Sequence, residues 1–418
     1  MGSAYSNALA GLHANSQAIN VVSGNLANLS TSGYKDQQVS FEDLVNESLT
    51  GFSNAGTIAG SVLATSTQQF TQGTLSTTSN PYDAAIQGGG FFVLQGANGQ
   101  QLFTRQGNFS VTAAGDLVTA TGQNVQGWNA VNGTLSTSGA AGSIVLPTAL
   151  TTPPSATANM ALTANLNANA AVGSSAGSFS STIQVYDSLG APHALTVSYT
   201  ETSAGNWTYN VTVPSTDITG GSGTTTNVGT GTLTFGANGL LTVPNSNPGT
   251  IPISITGLAN GASNLTINWN LYSNGAATLT NYVQPSANTA SSQDGVAPGT
   301  LINMAIGGNG EVVASFSNGT TENVAQLALA SVLNPSSMEQ VDGNSYALTS
   351  QTAAPVIGLP STGARGSITG GALETSTVDI ATEFTHLLQY ERGYQANSKV
   401  ISTEDQVIQQ TIGLITGG

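Results

Sequence analysis

Few residues in this chain have types and spacings that could do chemistry. His13, His193 and His386 are far apart, and none has a second ligand-type residue at the i+4 spacing that a helical metal site uses. His13 lies beside an apolar stripe, His193 follows Pro192 in a turn, and His386 precedes Leu387. Each reads as a surface or interface histidine. Gly173-Ser174-Ser175-Ala176-Gly177 matches the G-x-S-x-G pattern of a hydrolase nucleophile. That pattern works only on a strained turn with a strand before it and a helix after it. Here it sits in a run of Ala, Gly and Ser, where a chance match is expected. Gly88-Gly89-Gly90 and Gly307-Gly308-Asn309-Gly310 have no following Walker lysine and lead into no helix, so they read as tight turns. Asp187, Asp294 and Asp342 sit in turn contexts without the alternating ligands of a calcium loop. The expectation is a protein with no catalytic, metal or cofactor site, and not an enzyme.

Composition narrows the class further. The chain has 418 residues, 5 Lys plus Arg against 20 Asp plus Glu, and a formal net charge of −15. Lys35, Arg105, Arg365, Arg392 and Lys399 are scattered, so no basic patch exists to bind nucleic acid or an anionic membrane surface. Cysteine is absent, which removes disulfides and thiolate chemistry. No apolar run approaches a membrane span, and residues 1–6 lack the pattern of a cleaved secretory signal. Export, if it occurs, is expected to use a route without such a signal. Charged residues are only 6% and glycines number 51, a polar, turn-rich balance that suits an all-β protein with many tight turns.

The two ends differ from this middle. Tyr5, Ala8, Leu12, Ile19, Val22, Leu26 and Leu29 recur with a seven-residue period, interrupted by Asn15. Gly33 follows as a candidate helix stop. Near the C-terminus Leu373, Ile380, Leu387, Tyr394, Ile401 and Ile408 fall seven apart, and Phe384, Leu388, Val400 and Ile412 widen the stripe. Ser376 or Thr377 is expected to cap this second helix, with Asp379 in its first turn. Narrow seven-residue stripes call for partner helices, from the same chain or its neighbours. Leu12, Ile19, Val22, Leu26, Leu387, Tyr394, Ile401 and Ile408 are therefore the candidate polymer contacts.

Between the helices lie strand signals. Phe91–Leu94, Leu102–Val111, Ile183–Tyr186, Leu195–Tyr199, Trp207–Val213, Leu265–Leu271 and Val312–Phe316 alternate or run apolar between turn dipeptides. Asp187-Ser188-Leu189-Gly190 reads as the turn of a hairpin. Prolines near 147–154 and 285 mark segment breaks. The expected fold is mainly β with terminal α-helices, nested and elongated. Its divisions are a helical domain at 1–30 and 372–418, a linker at 31–74 that is extended or a hairpin, an inner β domain at 75–147 and 286–371, and an inserted outer β domain at 148–285. Residues 215–260 give the weakest pattern.

Several ordered motifs resemble the bacterial flagellar rod/hook axial proteins. Asn25-Leu26-Ala27-Asn28 followed by Gly33-Tyr34-Lys35 is similar to the family's N-terminal N-x-A-N and G-[YF]-K elements. Asn80-Pro81-Tyr82-Asp83-Ala84-Ala85-Ile86, then Gly90-Phe91-Phe92, resembles its P-L-D-L-A-I signature, with Tyr82 and Ala84 replacing two leucines. Thr104-Arg105-Gln106-Gly107-Asn108-Phe109 matches T-R-x-G-x-F, and Arg392-Gly393-Tyr394-Gln395-Ala396-Asn397 matches R-x-Y-[QE]-A-N. The inserted unit, the Val185-to-His193 segment and Gln293–Gly310 favour the hook branch over the rod. The resemblance implies a structural subunit polymerising into a curved, flexible extracellular tube that carries motor torque as a universal joint. It implies type III export, coiled-coil-like packing of the ends, and as partners further copies of itself, a distal rod protein, a hook cap and a hook–filament junction protein. A rod or junction subunit is the alternative within the family. A secreted β-rich adhesin is the alternative outside it.

Overall fold

The protein, in a computed structural model that describes residues 2–44, 61–131, 133–244, 249–273 and 275–416, is mainly β with one long helix at each end. Val45 and residues 50–60 of the expected connection lie outside the described residues. Helix α1 spans Gly2–Ala27 and helix α2 spans Ile380–Thr416. The chain divides into two compact units, residues 1–148, 303–314 and 321–418 in the first, and 149–302 and 315–320 in the second.

In the first unit α1 leads into an antiparallel hairpin of Gln37–Leu44 with Ser61–Gln68. The main sheet then runs Thr321–Leu327, Asn124–Val131, Phe91–Gln95, Gln101–Thr104, Ser345–Ala347 and Glu339–Val341 in hydrogen-bonded order. Its core gathers Phe91, Val93, Phe103, Trp128, Ala330, Met338 and Tyr346, with Phe70 packed edge-on against both Phe91 and Tyr346. The expected strand across 102–111 is broken. Strands Gln101–Thr104 and Ser110–Val111 flank a loop, because Arg105 turns into the interior and Gly107 lies against the Ala84 backbone.

The second unit carries two five-stranded sheets around one core. The first is an antiparallel meander of Ser178–Tyr186, Pro192–Ser203, Asn206–Pro214, Thr225–Phe235 and Leu241–Val243. The second orders Thr250–Ile255, Leu265–Asn270, Asn159–Asn165 and Leu279–Thr280, with Ala287–Gln293 also paired to Asn159–Asn165. The expected alternation holds: Trp207, Tyr209, Val211 and Val213 are buried from one strand, and Ile267, Trp269 and Leu271 from the other side. Two-residue periodicity puts every second side chain into the core.

His193 is not in a turn. It stands on the strand Pro192–Ser203, 6% exposed, opposite Val185. The hairpin turn before it holds Asp187, whose Oδ1 accepts from the backbone of Leu189 and Ala191. His193 Nε2 lies 3.0 Å from Asp187 Oδ2 and its Nδ1 lies 2.9 Å from Asp217 Oδ2, while Asn260 donates to Asp187. Both imidazole nitrogens thus face carboxylates, which suits the protonated ring. Burial alone would lower the His193 pKa, but the two aspartates outweigh it and hold it above its ordinary value. Burial likewise opposes the Asp187 charge, yet Asn260, His193 and two backbone amides bring its pKa down to about 2. The cluster locks a turn. With both ring nitrogens donating to carboxylates, the protonated imidazole keeps no free lone pair. Ser175 opens a short 3-10 turn, Ser175–Gly177, that runs into a strand, the reverse of the strand–turn–helix order a nucleophile elbow requires.

Candidate assembly interface

The two terminal helices pack on each other antiparallel. Their contact face is built from small residues: Ala8, Ala14 and Ala18 of α1 are buried. Two reciprocal seats fix the register. A β-carbon on Gly11 would lie 2.7 Å from the Asn397 amide nitrogen, and one on Gly393 would lie 2.5 Å from Asn15 Oδ1. A four-residue step forward on α1 matches a four-residue step back on α2, as antiparallel neighbours require. Asn15, the polar interruption in the α1 stripe, is thereby explained. It donates to the Gly11 carbonyl at 2.7 Å and fills the space Gly393 leaves. Toward the base of the pair, Ala18, Val22 and Tyr390 form a small buried cluster with Ile19, Leu26, Leu387 and Val39 around it. Phe41 meets Tyr390 edge-on at 5.6 Å.

The candidate contacts distribute unevenly over this pair. Val22 is buried within the chain, and Leu12, Ile19, Leu26, Leu387 and Ile401 are half-buried. Tyr394 and Ile408 are exposed, as are Ile380, Phe384, Leu388, Val400, Val407 and Ile412. Helix α2 has 37 residues to the 26 of α1, so its last turns run past its partner. The cap of α2 is Asp379, whose Oδ1 accepts from the Thr382 amide at 2.8 Å. Thr377, expected as a cap, is drawn elsewhere: its hydroxyl accepts from the Asp36 amide and donates to Asp36 Oδ1 at 2.7 Å.

Beneath the helices, motif residues far apart in sequence meet at one buried carboxylate, Glu374. Lys35 Nζ sits 2.6 Å from Glu374 Oε1 and donates to the Thr71 carbonyl at 2.5 Å. Arg105 Nη1 lies 3.4 Å from Glu374 Oε2, and its Nη2 donates to the Gly88 carbonyl at 2.8 Å. The Gly73 amide donates to Glu374 Oε1 at 2.7 Å, and the Arg105 guanidinium lies 5.4 Å from the centre of the Phe91 ring. Lys35, Glu374 and Arg105 are 0%, 1% and 4% exposed. Burial pushes the pKa values of Lys35 and Arg105 down, and Glu374 opposes that shift at both.

Of the remaining motif residues Gly33 touches this centre directly, and most of the others fix the segments around it. Gly33 is not the helix stop. At φ +68 its amide donates to the Glu374 carbonyl, and a β-carbon there would lie 2.7 Å from the Arg105 backbone. Asn25, 1% exposed, bonds both backbone groups of Gln37 and accepts from the Tyr34 hydroxyl. Asn28 donates to the Gly24 carbonyl and accepts from Thr31, closing the end of α1. The Gly107 carbonyl accepts from Ala84, and Asp83 accepts from Asn80 while its carbonyl takes the Gly371 amide. The Pro81 carbonyl accepts from Ile306, and Gly90 supplies a turn at φ +112 before Phe91. Arg392 is exposed. Glu374 was missed in the sequence. The available signal was scarcity, since a motif lysine and a motif arginine among only five cations call for a shared anion once buried.

Four family models match in chain order: a flagella basal body rod protein model over residues 6–35, a flagellar hook protein FlgE/F/G D1 domain over 85–164, a flagellar basal body protein FlaE D2 domain over 155–296, and a flagellar basal body rod FlgEFG protein C-terminal model over 369–414. The flagellar hook protein FlgE of Salmonella typhimurium is 30% identical over 98% of this chain and 99% of its own. That of Escherichia coli K12 is 31% identical over 98% and 100%, and that of Rhizobium meliloti 31% over 97% of each. The crystal structure of the Helicobacter pylori flagellar hook protein FlgE2 shares the fold with a TM-score of 0.50 at 15% identity, covering 72% of this chain and all of that one. With identity of this level sustained from end to end, the chain belongs to the flagellar hook protein FlgE family.

Proposed function

We propose that this chain is the structural subunit of a flagellar hook, polymerising through its terminal helices into a curved, flexible tube outside the cell that passes motor torque from rod to filament. The observation that carries the reading is the helix pair. It holds its register within the chain, yet it leaves large apolar side chains in water along α2, with Phe384 52%, Leu388 56% and Ile412 55% exposed. Exposed apolar rows of this kind mark surfaces that are covered in an assembly. In this reading α1 and α2 form the wall of the tube core. Neighbours at the ends of the tube are a distal rod protein, a cap and a hook–filament junction protein.

The test is electron microscopy of the concentrated full-length chain beside a chain lacking residues 1–27 and 380–418. That truncation spares Glu374 and its buried partners. Curved tubes from the first and monomers from the second are expected. Straight, rigid tubes would move the assignment to a rod subunit, and tubes from the truncated chain would remove the helices from the assembly.

A further inference from the structure

Where helix α2 begins, it encloses a recess of about 160 Å³ against the strand that follows α1. Glu383, His386 and Tyr390, at i, i+3 and i+7 on one helix face, line one side. Asp36, Gln37 and Gln38 line the other. The volume is below the roughly 300–1,000 Å³ of a drug-sized site, and it suits one small organic ion.

Two observations say what kind of ion. The first is an unmet acid. Glu383 is 6% exposed, and its Oε2 is buried without a hydrogen-bond partner. The nearby Asn25 amide is already committed, donating to the Gln37 carbonyl and accepting from the Gln37 amide. Burial pushes the Glu383 pKa up; Asn25 and His386 oppose that shift, and Asp36 and Asp379 add to it. A buried carboxylate is costly until a donor or a cation meets it. The second is an aromatic surface. The His386 and Tyr390 rings stack at 5.9 Å with 28° between their planes.

Acid on both sides and stacked rings on one is a setting for a planar cation. A guanidinium group stacks on ring faces and offers five N–H donors that pair with carboxylates. A metal ion is a poorer match, since no three His, Cys, Asp or Glu side chains among the described residues are placed to hold one. The chain does not supply the cation itself. No lining residue is basic, Lys35 and Arg105 are bound to Glu374, and Arg365 donates to Leu359, Val356 and Thr362.

We propose that the recess between Asp36 and Glu383 binds a guanidinium group, paired with these carboxylates and stacked on His386 and Tyr390. The group belongs either to a free small molecule or to an arginine of another chain. The site stands apart from the subunit reading, because it is complete in the single chain.

Methylguanidinium is titrated into the full-length chain and followed by saturation-transfer NMR of its methyl signal. Saturable binding is expected, displaced by arginine amide but not by tetramethylammonium, which has the charge without the N–H donors. Glu383→Gln is expected to weaken binding about tenfold or more. A structural role for Glu383 would read differently. The substitution takes an unpartnered charge out of the interior, so the first unit is expected to melt no lower than in the parent chain. No saturable binding, equal displacement by tetramethylammonium, or full binding by Glu383→Gln overturns the proposal. The assembled chain identifies the source. Binding that persists in tubes means a free ligand. Binding that tubes lose and that tubes of Arg392→Gln regain means the arginine of a neighbour. Loss that Arg392→Gln does not reverse means the recess is merely sealed, and overturns the site. A chain that forms no tubes removes the subunit reading and leaves the result on the single chain standing.

Discussion

The two compact units bury their polar groups in opposite ways. In the second unit the polar cluster is closer in sequence: Asp187 and His193 come from one hairpin, Asp217 from the turn after the next strand and Asn260 from 73 positions on, beside a large aromatic core of Tyr199, Trp207, Tyr209 and Trp269. In the first unit the buried cluster is global. Lys35 and Glu374 are 339 positions apart, and Arg105 comes from a third segment. The second unit is a β sandwich that a polar lock trims at one corner. The first is drawn together by ions at the place where both chain ends enter it. Buried ion pairs are seldom sources of net stability, but they are costly to leave half-made, so such a centre specifies which segments belong together. For a chain whose two ends must arrive side by side, that specificity is what the Glu374 centre contributes.

The largest expected effect breaks this contrast. Glu374→Gln leaves Lys35 and Arg105 buried beside a neutral amide, and removing one partner from such a centre costs about 3–5 kcal/mol. Scanning calorimetry of the full-length chain is expected to show the transition of the first unit moved down, while that of the second unit stays in place. Pairing the change with Lys35→Met should recover part of the loss, because one stranded charge goes with it. A uniform shift of all unfolding would mean that the Glu374 centre does not hold the first unit alone.

A middle-sized effect sharpens the comparison within the first unit, between its two kinds of helix glycine. Gly393 abuts Asn15, whereas a β-carbon on Gly24 would meet nothing within 4 Å. Gly393→Leu has to displace Asn15 from the Gly11 carbonyl, and overpacking of this kind costs about 1–3 kcal/mol. Gly24→Ala removes backbone freedom at no steric cost and is expected to strengthen α1 by up to about 1 kcal/mol. Amide hydrogen exchange along α1 should move in opposite directions in the two variants. Faster exchange in both would show that helix docking does not depend on the glycine–asparagine seats.

What the sequence disclosed follows from how each element is held. Strands with one wet face, such as Asn206–Pro214 and Leu265–Asn270, announce themselves by alternation, and the seven-residue stripes announce the helices. The strand Thr225–Phe235 stayed hidden because part of its inward surface is supplied from elsewhere: Gly231 lies opposite Tyr209, whose ring fills the place of a side chain. The break at Arg105–Phe109 was hidden for a related reason, since apolar periodicity carries no sign that an arginine will turn inward. Local motifs at Asn25, Gly33 and Arg105 were legible as motifs. Their common purpose was not, because Glu374, which they surround, lies in no motif and becomes significant only when 35, 105 and 374 are adjacent in space.

The smallest effect belongs to the second unit and depends on pH. With its folded pKa raised above the ordinary 6.5, His193 contributes stability that is fully present below about 6.5 and is lost as pH climbs through the raised value. Asp187 runs the other way. Its contribution is present above its ordinary 3.8 and is lost as pH falls through about 2. The groups facing the imidazole are Asp187, Asp217 and, through Asp187, Asn260, and all act in the same sense by favouring the charged pair. The melting temperature of the second unit is therefore expected to be highest between about pH 4 and 6.5 and to decline toward alkaline pH, while that of the first unit is flat across the neutral range. His193→Gln should cost the second unit about 1 kcal/mol near pH 6 and erase the alkaline decline. If the decline survives the substitution, the pH dependence lies elsewhere, and the local lock at the Asp187 turn is a matter of packing and not of charge.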